Sequence, residues 1–402
     1  MLILASLGLQ GCGIGSWFES DPVLEPHKTP PKENTETTIS QPSKVEWRCQ
    51  KALDSAHDYI IESQKADGSW GHYLPKLPQY DSWRDMHPIT YHAWGSATTA
   101  LNCLALHGLP SSTVIDSAMR RGVVFLLDSS IAMRFDGGHF YNVWAHSYII
   151  HALADLSSDS RLSDLKVRIL ERLKKEIQAL YELQGLNAGW GYYDFRHSMF
   201  PPSGSSSTSF TTSTALIALK HAKDAGVQVD QRRCDIALDF LESQRQPNAT
   251  YIYSFGHHYR RSSSINRVPG SLSRTQAGDH ALSVWRENIS EDTFLKNYQL
   301  FFRHRGFLEI GRARQYPHEA WYAIAGYFFY YGHFYASLNL GLIPSPERER
   351  MAMKLAEAVA ETQGDDGAFW DFPILGYSKP YGTGFAAATL ANCKKWIVST
   401  EQ

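Results

Sequence analysis

Apolar and polar positions along the chain fall into two alternating textures. The first is amphipathic: in Ile236-Ala-Leu-Asp-Phe-Leu-Glu-Ser the apolar residues recur at helical spacing and leave a charged face between them. The second is apolar nearly all round and rich in small residues, as in GSATTALNCLAL (95–106), AHSYIIHALADL (145–156), TTSTALIALKHA (211–222), TQAGDHALSVW (275–285), ASLNLGL (336–342) and FAAATLANC (385–393). An amphipathic run predicts a helix with one wet face, and a uniformly apolar run predicts a helix buried on every side. The textures alternate through six units from about Val45 to Trp396. They predict an outer ring of helices around an inner one, because small side chains let six helices crowd round one axis. Inner helices are expected to begin near residues 92, 145, 210, 275, 333 and 384.

The amphipathic runs also end alike. Tyr59 to Gln64 precedes Gly68-Ser-Trp70, Leu180 to Gln184 precedes Ala188-Gly-Trp190, and Val359 to Gln363 precedes Gly367-Ala-Phe369. Phe240 to Gln244 repeats the helix end, so the glutamines stand 120, 60 and 119 residues apart and one unit spans about 60 residues. Worn copies are found where that period requires them, at Phe125-Leu-Leu-Asp-Ser129 and Leu300-Phe-Phe-Arg-His304. Gly364-Asp-Asp-Gly367 reads as a turn.

The stretches ESQKADGSWG and LQGLNAGWG resemble the QW repeat of squalene-cyclase-type proteins. Over about 350 residues the chain is similar to the six-fold α/α toroids of terpenoid cyclases and protein prenyltransferase β-subunits. The resemblance implies an all-α (α/α)6 toroid of six helical hairpins over residues 45–402. It also implies that Gln hydrogen-bonds near a helix end while Trp packs against it, so Trp70 and Trp190 are expected to peg their turns. The catalytic motifs of those proteins do not carry over: no D-x-D-D, D-x-C or C-G-E-Q occurs. Any chemistry rests on other residues.

Ahead of the repeats, MLILASLGLQGCG is too short to span a bilayer, which takes about 20 apolar residues. Leu9-Gln10-Gly11-Cys12 resembles the end of a bacterial lipoprotein signal, which makes residues 1–12 a signal ending at an acylated Cys12 and residues 13–44, rich in Pro, Glu, Thr and Ser, a disordered tether. Envelope localisation is the expectation. The net charge of −2 lacks a basic stripe, so nucleic acid and anionic membrane surfaces are not implied as partners. Cys49, Cys103, Cys234 and Cys393 have no paired spacing, and neither a disulfide framework nor a metal site is assigned to them. No cofactor is implied.

Connections from an outer helix to the next inner one are long and the returns short, which puts six long loops at one end of the barrel. Long ordered loops are uncommon unless functional. That end is the expected working face, and its loops and first inner turns hold the candidate chemistry. Asn142, His146 and Tyr148 (YNVWAHSY), Arg196 (YYDFRH), and Asp279 and His280 (SRTQAGDH) are the candidate catalytic groups. His92 and Trp94 (TYHAW), Asp194 and His197, Arg274, and His333 and Tyr335 (GHFY) are candidate ligand contacts. Three readings stay open. One is a toroid binding or converting an isoprenoid-like ligand in an aromatic cavity. Another is a uronate-processing enzyme, with a Tyr or His as base and Asn or Arg steadying the carboxylate. The last is a non-catalytic binding or scaffold protein.

Overall fold

The structure, a computed structural model, describes residues 42–72, 88–133, 141–192 and 207–397. Among the described residues, twelve α-helices alternate between two layers. Those at odd positions are α1 (Pro42–Glu62), α3 (Thr113–Asp128), α5 (Lys166–Glu182), α7 (Gln231–Ser243), α9 (Glu291–Gly311) and α11 (Glu347–Ala360). Those at even positions are α2 (Pro88–His107), α4 (Val143–Leu156), α6 (Ser209–Asp224), α8 (Val268–Arg286), α10 (Phe328–Asn339) and α12 (Ser378–Ile397). Each even helix packs on the next, from α2 through α12, and α12 packs back on α2. The inner ring is therefore closed. The odd helices from α3 to α11 lie outside it, each against the inner helix that precedes it in the chain, and α1 completes the outer ring by packing on α11 and α12. This is the all-α toroid of six hairpins that the two textures predict.

Composition explains which helix goes where. In α8 every residue from Pro269 to Ser283 is buried, whereas α5 buries Ile169, Leu173, Ile177 and Leu180 along one stripe and leaves its lysines outside. The inner helices start at residues 88, 143, 209, 268, 328 and 378, up to seven earlier than expected. The earlier starts add residues such as Pro88, Trp144, Pro269, Phe328 and Pro380 ahead of the small-residue pattern; Pro suits the first turn of a helix, as in α8. Helix α9 runs to Gly311, past the worn repeat end at His304.

The Gln and Trp of each repeat do specific work. Gln64 Nε2 donates to Gly68 O within its own turn (2.9 Å) and to Ala118 O on the next outer helix (2.8 Å). Gln184 does the same to Ala188 O and Arg233 O, and Gln363 to Gly367 O and Ala52 O. The buried indoles of Trp70 and Trp190 donate to Ile60 O and Leu180 O, carbonyls in the last turn of the preceding outer helix, where the intrahelical ladder runs out. A threonine on the following inner helix, Thr99, Thr212 or Thr383, accepts from the backbone N–H of Trp70, Trp190 or Phe369. Gly68 and Gly367 have φ near +80°, and a Cβ at either would lie under 3 Å from a carbonyl oxygen of the neighbouring outer helix. Ala188 holds the same left-handed position in the second copy.

The copy at Gln244 is displaced by one residue. Its turn closes through Gln246 N–H to Thr250 O, which aligns Arg245, not Gln244, with Gln64, and makes Tyr251 the counterpart of Trp70. Gln244 accordingly bonds Ser243 and His258 locally instead of reaching the next outer helix.

Candidate functional site

The long connectors, residues 63–87, 129–142, 183–208, 244–267, 312–327 and 361–377, all lead into the first turns of inner helices. At that end the axis is walled and floored by aromatic rings. Trp144 stacks on Tyr148 within α4 (5.7 Å between centroids, 6° between planes) and meets Tyr331 of α10, across the barrel, at 6.0 Å. Phe210 of α6 meets Trp144 at 5.6 Å and Tyr331 at 5.8 Å, while Phe385 of α12 stands edge-on to Tyr148. Tyr331 and Tyr335 pack on each other, and Tyr335 Oη donates to Thr214 Oγ1. Tyr148, Phe210, Tyr331, Tyr335 and Phe385 are buried and form a floor. Trp94, Tyr141, Trp144, Tyr192, Tyr327 and Tyr381 gather around it and are only half-buried.

Polar groups rim these rings. Tyr192 Oη bonds Tyr253 Oη and lies 3.3 Å from Tyr327 Oη, a chain of hydroxyls from three connectors. Arg274 is buried beside them, its guanidinium 5.7 Å from the centre of the Tyr253 ring. It donates to Tyr251 O (2.8 Å), Gly270 O (2.6 Å) and Ile265 O, and burial pulls its pKa down to about 9. Arg274 thus clamps the 244–267 connector on α8. Behind Tyr381, Asp371 is fully buried and accepts from the Tyr381 hydroxyl and from Tyr330 N–H (3.1 Å). Burial pushes its carboxyl up to about 7 against those hydrogen bonds. The Tyr381 hydroxyl, whose own pKa burial raises well above the ordinary value, keeps its proton and donates it to Asp371 as a hydrogen bond. Nothing in the sequence context of Asp371, FWDF, marks it.

The structure divides the other sequence candidates. Trp94, Tyr148 and Tyr335 lie among these aromatic rings, Trp94 within 6.0 Å of Tyr91, Tyr141 and Tyr377. His92 lies at the mouth with Nε2 2.8 Å from Ser130 O. Asn142 and His146 do not join Tyr148. Asn142 donates to Ala132 O, and His146 Nδ1 lies 2.6 Å from Glu176 Oε2 on outer helix α5, where Arg172 Nε also bonds Glu176 at 2.7 Å. Burial disfavours the Glu176 anion, but the His146 and Arg172 partners outweigh it and hold its pKa below the usual carboxylate range. Residues two apart on a helix point to opposite sides, so the turn that aims Tyr148 inward aims His146 outward. His333 likewise packs outward on Phe301 of α9, while Tyr335 faces the axis. Asp279 is sealed between layers by Tyr251 Oη (3.0 Å) and Asn297 Nδ2 (2.5 Å). Cys12, Asp194, Arg196 and His197 lie outside the described residues.

His280 belongs to the opposite end of the barrel, with Nδ1 2.9 Å from Asn339 Oδ1. A second cluster gathers there, away from the long loops. His151 and Asp155 of α4 meet His221 of α6: His221 Nδ1 lies 2.5 Å from Asp155 Oδ1, His151 Nε2 3.7 Å from Asp155 Oδ2, and the two imidazole centroids are 3.9 Å apart. Its sequence trace is an H-x(3)-D pair inside an otherwise apolar inner helix.

No protein-family model matches the chain, and no curated protein sequence matches it. Among solved structures, a type II terpene cyclase from Scytonema in complex with geranylgeranyl dihydroxybenzoate is similar over 89% of this chain and 99% of its own, at 11% identity and a TM-score of 0.48. A protein of Listeria innocua is similar over 88% and 98%, at 10% identity and 0.49, and a polysaccharide lyase over 88% and 98%, at 12% identity and 0.47. The fold itself is carried by the closed ring of this chain's own helices, which is that of an all-α toroid.

Proposed function

We propose that this toroid binds an isoprenoid-like or similarly apolar ligand at the mouth of its axis, the ligand's body lying on the aromatic rings and its polar end at the tyrosine hydroxyls. The observation that carries this reading is the set of half-buried rings, Trp94, Tyr141, Trp144, Tyr192, Tyr327 and Tyr381, gathered from five stretches of the chain around one buried aromatic floor. Exposed aromatic faces held rigidly in a concave end are a recognition surface for apolar or cationic groups. Intrinsic fluorescence of the full chain, titrated with geranylgeraniol, tests it. Saturable quenching is expected, and Trp144→Ala should weaken binding about tenfold, since one stacked ring contributes roughly 0.5–1.5 kcal/mol beyond its buried area. A response to a uronate oligosaccharide alone would move the site to the carbohydrate reading, which the linked hydroxyls of Tyr192, Tyr253 and Tyr327 otherwise favour.

The reading includes an envelope location, with Cys12 as the lipidated residue, motivated by Leu9-Gln10-Gly11-Cys12 and the polar stretch after it. Globomycin treatment of an expressing bacterial host should then accumulate an unprocessed precursor. A mature protein that keeps residues 1–11 and stays out of the membrane fraction would end that part of the proposal.

A further inference from the structure

We propose that His151, Asp155 and His221 form a binding site for a divalent first-row transition-metal ion, with zinc as the probe. The site is independent of the aromatic mouth and lies at the other end of the barrel, where the inner helices finish. One ligand atom from each of the three residues falls within 4.8 Å of the other two. His151 and Asp155 are one helical turn apart on α4, so their side chains share a face, and His221 reaches them from the neighbouring helix α6. Four-coordinate zinc holds imidazole nitrogen and carboxylate oxygen at about 2.0–2.2 Å, which sets neighbouring donor atoms roughly 3.3 Å apart. The two carboxylate-to-imidazole separations, 2.5 Å from Asp155 Oδ1 to His221 and 3.7 Å from Asp155 Oδ2 to His151, lie on either side of that value, so binding requires the carboxylate and imidazoles to adjust around the ion.

The donor set fits the ion class. Two imidazoles and one carboxylate are borderline ligands, suited to zinc and its neighbours rather than to magnesium or calcium, which take oxygen. With three protein ligands the fourth position falls to water. Access is open: the side chains of Asp155 and His221 are 30% and 27% exposed, and only His151, at 4%, is enclosed. A plain ion-pair cluster accounts for the His221–Asp155 contact. A second imidazole lies beside the first at 3.9 Å with its Nε2 turned to the same carboxylate, so three donors of metal-ligand type converge rather than two.

The test uses the full chain, stripped with a chelator and desalted, with zinc titrated against a chromophoric competitor. One saturable equivalent is expected, with a higher melting temperature when zinc is bound and no competition from equimolar magnesium. His221→Ala and Asp155→Asn should each weaken binding at least about tenfold while the metal-free far-UV circular dichroism stays as in the parent. Absence of a saturable equivalent, or binding that neither substitution alters, overturns the proposal. Anomalous diffraction at the zinc edge from crystals of the unaltered chain decides the matter if a variant does not fold. A peak between the three side chains supports the site, and peaks only elsewhere refute it.

Discussion

Asp279 is a carboxylic acid enclosed between α8 and α9, 1% exposed, and burial pushes its pKa up to about 7 against its hydrogen bonds from Asn297 and Tyr251. The folded chain therefore keeps a proton that the unfolded chain releases near the ordinary aspartate value of 3.8. Its contribution to stability is fully present below that lower value and is lost as pH rises through about 7. Asp279→Asn removes the dependence, so urea unfolding at a series of pH values should show the variant gaining on the parent between about pH 4 and 7. The gain is on the order of 4 kcal/mol, since each tenfold change in proton affinity is worth about 1.36 kcal/mol; equal slopes for both proteins would refute a neutral Asp279. The same residue shows what one sequence withholds. A helix that is apolar all round has no polar face to reveal which side meets the axis, so Asp279, His146 and His333 read like mouth residues until the packing sets their phase. Size alone does not set that phase either: Tyr335 faces the axis, whereas Phe329 and Tyr330, equally large and at the start of the same helix, turn outward to His333 and Thr362.

Between one outer helix and the next, the staple is a side-chain amide. Gln64→Ala removes hydrogen bonds to Gly68 O and Ala118 O and should cost about 2 kcal/mol, at roughly 1 kcal/mol for each net bond. Gln244→Ala removes only contacts to Ser243 and His258 and should cost less than about 1 kcal/mol. Chemical denaturation of the two variants checks the difference; equal losses would mean that the reach to the neighbouring helix contributes nothing. The Gln and Trp of this device are visible in the sequence because both recur at the repeat period. Thr99, Thr212 and Thr383 are not, since a threonine in an apolar helix reads as one more small residue. The slipped third copy is hidden for a related reason: the Gln at position 244 preserves the period while the turn it should close has moved on to Gln246.

Across the whole molecule the repeats form a circle, because Gln363 reaches Ala52 as Gln64 reaches Ala118. Linear arrays of repeats end in units that have one neighbour each, and these ends are where they loosen. Here every unit has two neighbours. Circular dichroism and tryptophan fluorescence should accordingly report one coincident unfolding transition, and two separated transitions would show that the circle melts in arcs. The seam has a further consequence for time rather than for stability. The Gln363–Ala52 contact joins residues 311 apart in sequence, and closing a chain of that length costs roughly 5 kcal/mol of entropy on the (3/2)RT ln n scale. Hairpins form from local contacts, so the seam is expected to close after them, once their docking has brought the two ends of the chain together. Once shut, the first unit to leave must break two interfaces at once, so the seam acts as a latch on the unfolding rate.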